Sequence, residues 1–231
     1  MKSIGVLNES SLHATIKEYY KQPGDIVEAD VNGLCIDVIR DDLLIEIHTS
    51  NYSSIRDKIV RLLSDHMVCL VYPIAVQRWL IKLNHHGQIV SRRKSPKCGN
   101  LYDIYSELVY IPEVIKHPNF IFDTLMVDDE IILSDDGRGS WRRKGWSVID
   151  RRLLTIRTVY RLYLPDDYFK FIPDDIQLPF TRKDLAKKIN IKGSISSKMV
   201  NCLRKIGIID IVGKAGNAYL YTYDRSRYEK R

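Results

Sequence analysis

The chain has 231 residues, 45% hydrophobic and 28% charged, with a formal net charge of +7. That length holds one large folded unit or two modest ones, and the sign of the charge favours a polyanionic partner. Four scattered cysteines (Cys35, Cys69, Cys98, Cys202) form no Cys-x-x-Cys pair or Cys/His cluster, which argues against structural zinc and for reduced thiols. The opening MKSIGVLNESS lacks the apolar core of a signal peptide, and no run approaches membrane-spanning length. A soluble cytoplasmic protein without a membrane partner is the expectation.

In chain order, Ser10 or Ser11 caps a predicted helix to about Lys21, with Leu12, Ile16, Tyr19 and Tyr20 as its apolar stripe. His13 and Lys17, four residues apart, share one flank, whereas Glu18 points away. Gln22-Pro23-Gly24-Asp25 ends the helix. The next stretch, IVEADVNGLCIDVIRDDLLIEIHT (26–49), reads as three strands joined by tight turns at Asn32-Gly33 and Asp41-Asp42. Two-residue turns set Val31 opposite Leu34 and Arg40 opposite Leu43. Counting back aligns Glu28, Asp37 and Glu46 in one row across a single face. The opposite face, from Val27 through Val31, Leu34 through Val38 and Leu43 through Ile47 at alternate positions, is apolar. Aligned carboxylates repel, so they are either well solvated, protonated or gathered round a cation. Spacing alone leaves these open.

Asp37 followed by Glu46-Ile47-His48, behind a helix and a hairpin, resembles the PD-(D/E)xK nuclease superfamily over roughly residues 10 to 75. The resemblance implies that Asp37 and Glu46 bind Mg²⁺ or Mn²⁺, with Glu28 as an additional acid. It also places His48 where the family carries its lysine, to position water or act as a base. The sequence departs from the family there, and again in having Ile36 rather than proline before Asp37. Lys17 is the residue able to restore the missing positive charge.

Beyond this core, Ile55 to Ser64 has a helical apolar stripe capped from Ser50–Ser54, and Met67 to Pro73 reads as a buried strand. VQRWLIKLN and GQIVS form a strand pair around His85-His86-Gly87. A basic loop follows, carrying Arg92, Arg93, Lys94 and Lys97. A helix is predicted over about 101–116, then a strand over about 120–134 interrupted at Val127-Asp128-Asp129. A second basic stretch, with Arg142, Arg143 and Lys144 between Trp141 and Trp146, continues to Arg151-Arg152. Interleaved cations and indoles suit phosphate contacts with stacking, though the indoles also suit core packing. Residues 76 to about 172 thus read as an elaboration that supplies a basic wall.

Leu164-Pro165-Asp166 caps a short helix, and a linker begins at Ile172-Pro173-Asp174-Asp175. From about Leu178, Thr181 caps RKDLAKKIN with Asp184 in capping-box position, and a longer helix runs to Ile206 with Gly207 at its end. Strands over 208–212 and 218–223 complete a helix-turn-helix-hairpin order that resembles a winged helix-turn-helix domain. The resemblance implies a second helix in the major groove, presenting Lys192, Ser196, Lys198, Asn201, Arg204 and Lys205, with Lys214 on the wing. The expectation is an α/β (α+β) protein with a central mixed sheet flanked by helices over 1–172 and a winged helix over 178–231. It is read as a metal-dependent nuclease acting on DNA, with RNA and a homodimer left open. The alternative is a non-catalytic DNA-binding regulator on a degenerate nuclease frame.

Overall fold

The computed structural model describes residues 10–49, 55–137, 139, 145–224 and 226. The architecture is α+β with a central mixed sheet flanked by helices. Two compact units are drawn from interleaved segments: 1–49, 70–101 and 123–160 in one, and 50–69, 102–122 and 161–231 in the other.

The first unit opens with helix α1 (Ser11–Tyr20), whose N-cap Ser10 accepts from the His13 N–H. Strands β1 (Ile26–Val31), β2 (Leu34–Arg40) and β3 (Leu43–Ile47) follow as two hairpins. Asn32 and Gly33 both take positive φ (55° and 79°), the geometry that an Asn-Gly hairpin turn requires. Val31 lies opposite Leu34 and Arg40 opposite Leu43, as the turns predict. Ile36, Val38, Ile45 and Ile47 are buried. The apolar face is therefore closed at β2 and β3, while edge strand β1 leaves Val27 38% exposed on it. In α1, Leu12, Ile16 and Tyr20 are buried, but Tyr19 is exposed and leaves the predicted stripe.

Five expectations are corrected. Met67–Leu83 is one strand, β4, that runs through Pro73. Its partner β5 (Ile89–Lys94) carries the first basic run as paired strand and not as loop. The helix expected over 101–116 is instead a 3₁₀ turn (Leu101–Ile104), a single α-turn, α3 (Tyr105–Leu108), and a second 3₁₀ turn (Val114–Lys116). Pro112, with no N–H to donate, falls inside it. Strand β6 (Phe120–Asp135) passes through Val127–Asp129 without interruption, and β7 (Trp146–Leu162) adds a long strand where none was expected. The strand order is β1-β2-β3-β4-β6-β7, with β5 also paired to β4.

Partners supplied by neighbouring strands explain the uninterrupted β6. Asp129, wholly buried, accepts from Arg78 Nε (2.7 Å) and Nη2 (2.6 Å) and from Arg151 Nε (2.5 Å). Asp128 pairs with Arg157. Burial is the main influence on Arg151 and lowers its pKa, with Asp129 opposing it.

In the second unit, α2 (Arg56–Leu63) buries Ile59, Leu62 and Leu63; its expected cap at Ser50–Ser54 lies outside the described residues. A 3₁₀ helix, Pro165–Phe171, sits where Leu164-Pro165-Asp166 predicts one. Helix α4 (Arg182–Lys188) has the expected Thr181/Asp184 capping box, and α5 (Gly193–Ile206) ends at Gly207 with φ 84°. Strands β8 (Asp210–Ala215) and β9 (Ala218–Thr222) form the hairpin, and Phe180 adds a bridge to Tyr221. This segment is not set apart at residues 173–178. Lys198 Nζ donates to the Ser106 carbonyl (3.3 Å), and the Cys202 thiol lies against the Leu108 carbonyl. Burial pushes that thiol up to about 12, so Cys202 serves as a protonated core residue.

Removing Asp129 strands two largely buried guanidinium groups in the sheet. Asp129→Ala is expected to lower unfolding free energy by about 3 kcal/mol in urea titration. Arg157→Ala, at an exposed pair, is expected to change it far less.

Candidate active site around helix α1

Helix α1 is tied to strands β2, β3, β6 and β7 of its unit. At its N-terminus, Ser11 donates through its N–H to Asp150 Oδ1 (3.0 Å) and through its hydroxyl to Asp150 Oδ2 (2.7 Å) of β7. A carboxylate also complements the positive end of the helix dipole. At its C-terminus, the Tyr20 hydroxyl donates to buried Asp123 Oδ2 of β6 (2.8 Å), and Arg40 of β2 donates to the Tyr20 carbonyl. Arg40 is itself held by Asp25 through Nε and Nη2. Midway, His13 Nε2 lies 2.9 Å from the Ile47 carbonyl of β3.

These ties set one flank of α1 over the acidic strands. His13 Nε2 stands 3.3 Å from Asp37 Oδ2, and the Ile47 N–H donates to that same oxygen at 2.8 Å. The Asp37 carboxylate thus lies against β3 beside Glu46. One turn along the helix, Lys17 is 8% exposed and its ammonium meets Glu28 Oε1 at 2.5 Å. Glu46 and His48 are each 8% exposed, and the His48 N–H donates to the Val71 carbonyl of β4. Lys17 is therefore no solvated surface lysine. His13, which sequence reasoning placed only on the same flank, is the additional member. Its signal was the i, i+4 spacing to Lys17.

The expected row of three carboxylates is broken at both ends. Glu28 has φ 52°, a left-handed conformation inside a strand that removes it from the regular pleat. Pairing of β2 with β3 is regular from Arg40↔Leu43 to Val38↔Ile45, after which the Asp37 side chain takes the Ile47 N–H. Among the described residues, no group of three or more His, Cys, Asp or Glu side chains converges as a metal-holding set. Glu28, joined to Lys17, is not a third ligand in this arrangement. Asp37 and Glu46 remain as hard oxygen donors on neighbouring strands β2 and β3, and a Mg²⁺ ion commonly takes one or two protein carboxylates plus water and phosphate oxygens.

The expected nucleic-acid contacts divide in three. Arg92, Arg93, Lys94 and Lys97 are exposed, as are Lys192, Arg204, Lys205 and Lys214, while Asn201 is half-buried. Ser196 is fully buried and donates to the Arg182 carbonyl, and Lys198 is turned onto Ser106 and the Tyr110 ring. Neither presents its side chain as a groove-reading helix requires. Arg142, Arg143 and Lys144 lie outside the described residues.

A family model described as a domain of unknown function, DUF8091, matches residues 10–163. The chain belongs to the DUF8091 family. The match spans α1 through β7 and so contains the whole candidate site. The DUF8091 protein is also 30% identical over 157 residues to an uncharacterised protein of Treponema pallidum (strain Nichols). The alignment covers 68% of this chain and 62% of that relative's length. No solved structure matches. No helix among the described residues is long and apolar enough to cross a membrane.

The two carboxylates that anchor α1 give its placement a pH dependence. Hydrogen bonding to Arg40 is the main influence on Asp25 and holds its carboxyl below the usual 3.8, against a smaller effect of burial. Burial pushes Asp150 up, but hydrogen bonds from Ser11, Arg152 and Arg151 outweigh it and leave it below the usual value. Groups with lowered folded-state pKa stabilise the fold above their unfolded value and cease to as pH falls through the folded one. Stability should therefore drop as pH falls below 3.8, and less steeply in an Asp25→Asn/Asp150→Asn variant followed by acid titration of the far-UV signal. Lys17→Met should cost no more than about 1 kcal/mol, because its partner is half-exposed. Ile16→Ala, one residue away in the core, should cost about 3 kcal/mol by the same urea titration.

Proposed function

We propose that the protein is a nuclease-type phosphodiesterase acting on DNA through the site beneath α1. The observation that carries this reading is the meeting of Asp37 on the second strand with His13 of α1 and the backbone beside Glu46 on the third. The element order α1-β1-β2-β3-α2-β4 supports it, being the order that the PD-(D/E)xK resemblance implies. A surplus of positive charge supports a polyanionic substrate.

In this reading Asp37 and Glu46 would hold a Mg²⁺ or Mn²⁺ ion, which would supply Lewis acidity toward the phosphate and the attacking water. Lys17 supplies positive charge that His48 lacks when neutral, and Glu28 keeps that ammonium aimed along the flank until substrate phosphate competes for it. His13 orients Asp37 by sharing its Oδ2 with the Ile47 N–H. His48 would accept a proton from the attacking water.

A second reading is a non-catalytic DNA-binding protein on the same frame. It is favoured by the engagement of Glu28 by Lys17 and of Asp37 by His13 and Ile47 N–H, which leaves no three-ligand set among the described residues. A labelled panel of linear, single-stranded and branched DNA, incubated with Mg²⁺ or Mn²⁺, separates the two. The nuclease reading expects metal-dependent cutting that falls on the order of a hundredfold or more in Asp37→Asn and in Lys17→Met. Salt-sensitive binding with no cutting by the wild type would replace it with the second reading.

A further inference from the structure

Two guanidinium groups share the buried carboxylate of Asp129, and they share it unequally. Arg78 of β4 meets it through Nε and Nη2, whereas Arg151 of β7 meets it through Nε alone. The paired Nη groups at the far end of Arg151 are therefore not used on a carboxylate. One acid against two bases also leaves the trio a net positive charge in a half-buried setting, the two arginine side chains being 22% and 19% exposed. Burial lowers the Arg151 pKa, and Arg78 adds to this while Asp129 opposes it. The guanidinium is short of counter-charge.

The trio ends a line of cations on one face of the sheet. Pairing of β4 with β5 is regular from Trp79 to Lys82, and the Ser95 N–H continues it to the Arg78 carbonyl. Side chains alternate along such a strand, so Arg78, Leu80 and Lys82 share a face. Arg93, exposed and opposite Leu80, joins them. Positive charge thus recurs at 78, beside 80 and at 82, in steps of about 6.6 Å. Lys82 stands 4.2 Å from the Trp146 ring of β7, which steadies its stem. Nearby acids are engaged elsewhere or lacking. Residues 66–102 contain no Asp or Glu, Asp128 is paired with Arg157, and Asp150 accepts from Ser11 and Arg152.

We infer that this line is a seat for the phosphate backbone of a single DNA strand, with the Nη groups of Arg151 on one phosphate and Arg93 and Lys82 on those that follow. The inference rests on the DNA-directed reading above, though not on catalysis. A guanidinium fixed at Nε offers its Nη N–H groups as a planar fork, which matches two oxygens of one phosphate. Asp129 and Arg78 touch no phosphate: Asp129 aims the fork, and Arg78 keeps the carboxylate from neutralising it. Steps of about 6.6 Å are close to the repeat of an extended nucleotide chain. A thin, pliable strand can also settle onto a recessed fork. Duplex DNA is stiff and carries its phosphates in two lines flanking a major groove about 12 Å wide, whereas the line here is single.

The test is fluorescence anisotropy on the full chain in EDTA, with a labelled DNA strand of about 16 nucleotides and the matching duplex. The wild type is expected to prefer the strand. In Lys82→Ala/Arg93→Ala the slope of log affinity against log salt should fall by about 1.4. Arg92→Ala/Lys94→Ala removes the same charge from the opposite face, where these residues pair with Ile81 and Trp79, and should leave the slope as in the wild type. Arg151→Lys keeps a charge for Asp129 but loses the fork, and should weaken strand binding about tenfold with the slope unchanged. Circular dichroism and Tm verify the fold of each variant, and the exposed Arg93 and Arg92/Lys94 positions keep the comparison of faces readable should Arg151→Lys unfold. Equal slope losses from the two faces, a wild-type slope in Lys82→Ala/Arg93→Ala, wild-type affinity in a folded Arg151→Lys, or duplex bound as tightly as the strand would overturn the seat. Binding through the seat with no cleavage in the earlier panel would overturn hydrolysis alone. Failure of the wild type to bind either probe would overturn both.

Discussion

The hydrogen bonds that fix α1 over the sheet are the constraint on which the rest of the first unit depends. A ten-residue helix with a modest apolar stripe does not choose its own lateral position on a sheet, since packing of Leu12 and Ile16 tolerates small slides and rotations. Asp150 at one end and the Asp123, Arg40 and Asp25 group at the other remove that freedom. Once the helix is pinned, His13 and Lys17 have no alternative but to face β1 through β3. Polar contacts here give position, while the buried leucine and isoleucine give most of the free energy.

Much of this was legible locally. The two hairpins follow from Asn32-Gly33 and from alternation between residues 26 and 47, and their pairing is what those letters specify. The α4 cap at Thr181 and the stop at Gly207 are equally local. Two of the misread parts, β6 and β7, share one cause, which is a partner far away in sequence. Val127-Asp128-Asp129 looks like an interruption until Arg78, Arg151 and Arg157 are brought in by β4 and β7. β7 itself, WSVIDRRLLTIRTVYRL, is too charged and irregular to announce a strand, and its long ladder neighbour β6 makes it one.

The candidate site shows the same division. Its membership was readable because Asp37, Glu46 and His48 come from neighbouring strands of one hairpin. Its geometry was not, because a left-handed residue at Glu28 and a side-chain acceptor at Asp37 each override the period-two rule that predicted an even row. The basic run at 91–97 was recognisable as cationic, but only its register with Trp79 through Leu83 shows that the charge is shared between two faces. Ser196 illustrates the opposite error: a small polar residue on a helix suggested a groove contact, and its hydroxyl instead closes a buried bond to the Arg182 carbonyl.

The Ser11–Asp150 contact joins residues 139 positions apart. During synthesis the acidic hairpins can form as soon as residues 26–47 leave the ribosome, because their contacts are short-range. The helix that overlies them gains its N-terminal anchor only after β7 has emerged, some hundred residues later. A nascent or truncated chain therefore displays the acids without a firmly placed His13 and Lys17. Assembly of the site is in this way tied to completion of the unit that carries it.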